Sequence, residues 1–225
     1  MGNSDLGLSA SGNKEVQQQP LFARAFGHIV SVIFHPLFIP AYIVAYLLFL
    51  HPYAFAGTTD KYRLFRLFSI IFITAFLPAF SVFLMKQLNF ISSMMLRTQR
   101  DRIIPYVVSM IYYWWAWHVS KNLGDNNAMV AMLLGTFLAS IVGMMANIYF
   151  KISMHTMAAG VLFAFFLWLS FNGTVAIGIY LSAATFITGL ICTARLLVSD
   201  HTPAELYGGL LAGFGCGMIA AFIAG

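Results

Sequence analysis

Apolar runs of about twenty residues recur from residue 27 to the C-terminal end of this chain, and a helix of that length crosses the roughly 30 Å hydrocarbon core of a bilayer. Such repetition excludes a water-soluble globular domain. Composition agrees, since 60% of the 225 residues are hydrophobic and 8% are charged, with a mean hydropathy of +0.84. The expected fold is all-α, a polytopic transmembrane helical bundle with six to seven membrane-crossing helices.

Residues 1–26 are polar, rich in Ser, Gly and Gln, and lack the apolar core of a signal peptide. They are expected to form a disordered cytoplasmic tail ahead of one integral membrane domain, 27–225. The first crossing is expected at 27–50, where His35-Pro36 and Pro40 predict a bend, and His35 reads as a satisfied interior polar group. A loop with Lys61, Arg63 and Arg66 precedes a second crossing at 67–88. The third runs from Pro105 to about 119 and ends in the aromatic stretch 112–118, an interfacial belt. Four more follow at about 126–150, 156–171, 174–194 and 204–224. Gly135, Ala139, Gly143 and Asn147 form a small-residue stripe on the fourth, and Gly209, Gly213 and Gly217 form another on the last, both suited to close helix approach. Cys192 and Cys216 lie in apolar runs without metal or redox spacing and read as packing residues.

In so apolar a chain the polar clusters stand out. Arg97, Arg100 and Arg102 crowd six residues before Pro105, and arginine suits bidentate contact with oxyanions. Lys151, Ser153 and His155 sit at the fourth boundary. Arg195, Asp200, His201 and Glu205 follow the sixth crossing, where Thr202-Pro203-Ala204-Glu205 has the form of a capping box and predicts a helix start just after His201. Two crossings separate each cluster from the next, so parity puts all three on one face of the membrane. Two histidines, a carboxylate and several cations suit a phosphate ester: cations hold the oxygens, one imidazole attacks phosphorus and another protonates the departing oxygen. No metal-binding spacing accompanies them, so no metal or cofactor is expected. The net charge of +5 suits an anionic lipid or substrate, and nothing resembles a nucleic-acid patch.

Arg195-x5-His201-x3-Glu205, followed by Gly208-Gly209, resembles the third motif of the type 2 phosphatidic-acid phosphatase superfamily (Ser-Arg-x5-His-x3-Asp). Ile152-Ser153-Met154-His155 resembles its second (Pro-Ser-Gly-His). The first (Lys-x6-Arg-Pro) is loosely echoed: counted back from Pro105, Arg97 falls on the lysine position and Ile104 on the arginine position, with Arg102 or Arg100 the nearest substitutes. The resemblance covers about 97–213. It implies a metal-independent lipid-phosphate phosphatase of a bacterial inner membrane, with a lipid-linked phosphate as substrate. His201 would be the nucleophile that forms a phosphohistidine, Glu205 would orient its ring, and His155 would be the acid. Arg195, Lys151 and Ser153, with Arg97, Arg100 or Arg102, would hold the phosphate. Four departures accompany the likeness: Ala194 replaces the motif serine, Glu205 replaces Asp, Ile152 and Met154 replace Pro and Gly, and Lys151 is an extra cation. Glu is one methylene longer than Asp, which leaves Asp200 as another partner for His201. The competing reading is a catalytically degenerate lipid-phosphate-binding protein or a transporter. A transporter predicts mid-membrane charges and inverted internal symmetry, and neither is evident here.

Overall fold

The computed structural model describes residues 20–91, 99–149, 151–172, 176–198 and 201–224, with side chains of 99–102 outside the description. Among these residues every regular element is helical. Five helical stretches are long and apolar enough to cross a membrane: Asp60–Gln87, Asn127–Tyr149, Met154–Asn172, Gly178–Val198 and Pro203–Ala224.

The expected first crossing is divided in two. α1 (Leu21–Ile33) starts inside the segment read as a polar tail and ends two residues before His35, because Pro36 supplies no N–H and disfavours helical backbone at the residue before it. Residues 1–19 lie outside the described residues. At 13 residues α1 is about 20 Å long, short of a full crossing. α2 (Ile39–Ala45) starts with Pro40 in its first turn and runs on through a π-helical turn, Tyr46–Leu50. Both are buried for most of their length, with Ile39, Ile43, Val44, Leu47 and Leu48 in the core. α1 leans on α8, and Gly27 is the seat: a Cβ there would lie 2.6 Å from Val198 Cγ1 and 3.1 Å from the Ala194 carbonyl oxygen.

The expected loop with Lys61, Arg63 and Arg66 is the start of a helix. α3 (Asp60–Ile71) is capped by Thr59, whose Oγ1 accepts the Tyr62 N–H at 3.3 Å. A π-helical turn at Phe72–Phe76 then leads into α4 (Leu77–Gln87). Pro78 explains the turn: it has no N–H for the Thr74 carbonyl and its ring crowds that carbonyl. Phe68, Phe72, Phe76 and Phe80 stack along the outer face, with ring centroids 6.2, 5.1 and 5.7 Å apart, and all four are exposed. An apolar ladder of that size fits a helix whose outer face is solvated by acyl chains.

α5 (Gln99–Asn122) begins six residues earlier than its expected start, so Gln99–Arg102 are helical and Pro105 lies inside the helix. Its aromatic stretch divides between faces, Tyr113 being buried while Trp114 and Trp115 are exposed. Gly124, at φ +68°, turns the chain, its N–H bonding the Lys121 carbonyl at 3.2 Å, as a left-handed helix terminus requires. Here Arg66, only 3% exposed, pairs with Asp125, and Ser120 donates to the same carboxylate. The clamp ties α3 to the α5–α6 connection. Sequence reading missed it because nothing local marks Asp125 as the partner of an arginine 59 positions away.

α6 (Asn127–Tyr149), α7 (Met154–Asn172), α8 (Gly178–Val198) and α9 (Pro203–Ala224) fall within four residues of expectation. The helix does not run on from α6 to His155, since residues 151–153 are not helical and α7 starts afresh at Met154. Both glycine stripes are packing seams. A Cβ on Gly213 would lie 2.0 Å from the Met157 carbonyl oxygen, and one on Gly217 2.7 Å from Ala164 Cβ, which puts α9 backbone-close to α7. Gly135 of α6 meets Gly217 the same way, 3.2 Å from its Cα. Cys216 packs with Ala139, Ile152, Met157 and Val161.

Candidate functional site

The non-helical break between α6 and α7, the end of α8 and the start of α9 all open onto one cavity of ≈ 950 Å³. Lys151, His155, Arg195 and His201 line it, so residues from two of the three sequence clusters converge. Arg97 lies outside the described residues, as do Ser199 and Asp200. Arg100 and Arg102 occupy the first turn of α5, and their side chains are not described.

Glu205 does two things at once. Its Oε2 accepts the Thr202 N–H at 3.1 Å while its own N–H reaches Thr202 Oγ1 at 3.3 Å, closing the capping box. The same oxygen lies 2.9 Å from His201 Nδ1. A carboxylate only accepts, so Nδ1 carries a hydrogen, and in the neutral ring Nε2 is the basic nitrogen. The longer side chain of Glu therefore reaches the imidazole while staying bound to the backbone, and the His201 side chain is 8% exposed.

His155 is held from the other end of the chain. Its Nε2 donates to the Ser31 carbonyl of α1 at 3.1 Å, which leaves Nδ1 as the basic nitrogen. His35 stands edge-on to it, ring centroids 5.3 Å apart at 82°, and accepts the Leu37 N–H on Nδ1 at 3.4 Å. Arg195 lies within electrostatic reach of both rings.

Ser153 is fully buried and does not line the cavity. It caps α7, the Met157 N–H bonding its carbonyl at 3.1 Å, and its Oγ has no hydrogen-bond partner among the described residues. α7 begins at the cavity, so its positive helix end faces the same space as Arg195 and Lys151, while the α9 terminus is satisfied by its own capping box. Among the described residues no carboxylate lines it, and no three His, Cys, Asp or Glu side chains come together as metal ligands. The cavity also runs inward past Pro78, Ala79 and Val82 of α4, Tyr113 of α5 and Val161 of α7. Its charged groups are Arg24, Lys151 and Arg195, and the rest of the lining is uncharged, mostly apolar with Ser109, Thr136 and Ser140 among it.

Sequence reading missed the contribution of the N-terminal segment: Arg24, His28 and His35 also line the cavity. Arg24 and His28 are four residues apart, one helical turn, and that spacing was the available signal. No protein-family model matches the chain, and no match was found among curated proteins or solved structures.

Proposed function

We propose that the chain is a membrane-embedded lipid-phosphate phosphatase working through a phosphohistidine on His201. One observation carries the reading: the His201–Glu205 pair borders the same cavity as Arg195, Lys151 and His155. Arg195, Lys151 and the N-terminus of α7 bind the phosphate oxygens. His201 Nε2 attacks phosphorus as the bond to the lipid oxygen breaks, and that oxygen takes a proton from His155. Water then attacks the phosphohistidine, gives its proton to His155 and releases inorganic phosphate. The substrate is a lipid-linked phosphate of the phosphatidic acid, phosphatidylglycerol phosphate, polyprenyl diphosphate or lipid A type, and its chain runs past the uncharged part of the lining, at Pro78, Ala79, Val82 and Val161.

α5, 24 residues long or about 36 Å, supplies a further crossing under this reading. The broken pair α1–α2 makes a seventh, giving six to seven in a bacterial inner membrane, as the resemblance to bacterial members suggests. A second reading, a non-catalytic lipid-phosphate binder, is favoured by Ser153, whose hydroxyl lies behind the cavity wall.

The deciding experiment assays purified protein against the four lipid classes. Wild type is expected to release phosphate from at least one without added divalent metal, and His201→Ala to lower the rate by roughly 10³-fold or more. Acid-labile ³²P should be trapped on wild type and not on the variant. Binding without release or trapping would establish the second reading.

A further inference from the structure

The amino-terminal segment brings a histidine into the site that no sequence motif calls for. His35 sits in the break between α1 and α2 and faces His155 edge-on at 5.3 Å. Each ring spends one nitrogen on backbone, and the two choices are opposite. His35 accepts from Leu37 through Nδ1, so its hydrogen is on Nε2. His155 donates through Nε2 to Ser31, so its lone pair is on Nδ1. The pair is thus complete as two neutral rings, and a further proton is taken either by His155 Nδ1 or by His35 Nδ1 in exchange for the 3.4 Å Leu37 contact.

The surrounding charge decides when another proton joins them. Arg195 of α8 acts on both rings. Arg24 and His28 of α1, Lys151 ahead of α7 and His201 ahead of α9 line the same cavity, with Tyr106 on the α5 side. No described carboxylate lines it, Glu205 being engaged with His201 and Thr202. Three fixed cations oppose a further positive charge until an anion enters, and a bound dianion reverses that balance.

We propose that His35 and His155 act as one proton-accepting pair that is neutral in the empty site and takes up a proton as a tetrahedral dianion binds. The proton comes from solvent, resides on the pair and passes to the departing lipid oxygen in the first step; the water that cleaves the phosphohistidine returns one. The inference rests on the proposed phosphatase reading for the fate of that proton, and on the geometry alone for its uptake.

Tungstate separates the two, being a tetrahedral dianion with no proton of its own to exchange near neutral pH. Its binding to the purified full-length chain is measured by calorimetry at pH 7 in two buffers of different ionisation enthalpy. Wild type is expected to take up about one proton per tungstate. His35→Phe keeps the ring contact without its nitrogens and is expected to bind tungstate with uptake at least halved; His35→Asn serves if the Phe variant does not fold. His51→Asn, away from the cavity, is expected to leave uptake unchanged. Tungstate binding without proton uptake in wild type, or with undiminished uptake in both His35 variants, overturns the pair and leaves the phosphatase reading standing. Normal uptake in a protein that hydrolyses no lipid phosphate overturns only the phosphatase reading. Absence of tungstate binding overturns both.

Discussion

Glu205 allows a cap and a catalytic partner to be told apart at the scale of one side chain. Glutamine also closes a capping box, so Glu205→Gln keeps the bonds to Thr202 while removing the charge that steadies a cationic His201. Thermal stability is expected to change by less than about 1 kcal/mol, whereas kcat on a lipid phosphate is expected to fall by roughly 10²–10⁴-fold. Equal stability with unchanged turnover would make the residue a cap and nothing more. At this scale the sequence was informative wherever chemistry is local. Thr202, Glu205 and His201 lie within five positions and their contacts were readable. Ser31 and His155, 124 positions apart, were not, because a backbone carbonyl leaves no mark in a residue pattern.

Helices packed through glycine tolerate little added bulk. The Gly213 seam against Met157 leaves no room for a Cβ, with 2.0 Å to a backbone oxygen. Gly213→Ala is expected to lower stability by about 1–3 kcal/mol or more, read as a fall in melting temperature in detergent. Gly215, whose Cβ would meet nothing within 4 Å, is the matched control and should accept alanine at little cost. The Arg66–Asp125 clamp behaves in the opposite way. Removing Arg66 alone strands a buried carboxylate and is expected to cost about 3–5 kcal/mol, while replacing both residues with apolar ones should restore most of the loss. The boundaries of α6 to α9 were legible because apolar length and punctuating Gly, Pro and Asn agree there. α1 and α3 were misplaced for a common reason: in each, arginines or lysines interrupt the apolar run. Arg66 is paired in the interior and Arg24 turns toward the cavity, so neither interruption ends its helix.

The molecule is polar from end to end. α6 begins beside the Arg66–Asp125 clamp and ends beside Lys151, so the clamp and the cavity occupy opposite ends of the bundle. In a background with Cys192 and Cys216 replaced by alanine, single cysteines at Arg24 and Lys151 are expected to react with an impermeant thiol reagent from one side of sealed vesicles. Cysteines at Lys61 and Lys121 are expected to react from the other. Labelling of Lys151→Cys and Lys61→Cys from the same side would refute the arrangement. The hydrogen bond from His155 to Ser31 and the placement of His201 ahead of the last helix together carry a consequence for biosynthesis. The α1 wall of the cavity leaves the ribosome before His201 does. A nascent chain halted before α9 has been inserted therefore holds an unfinished pocket, with the α1 and α7 walls present and the His201–Glu205 pair still missing.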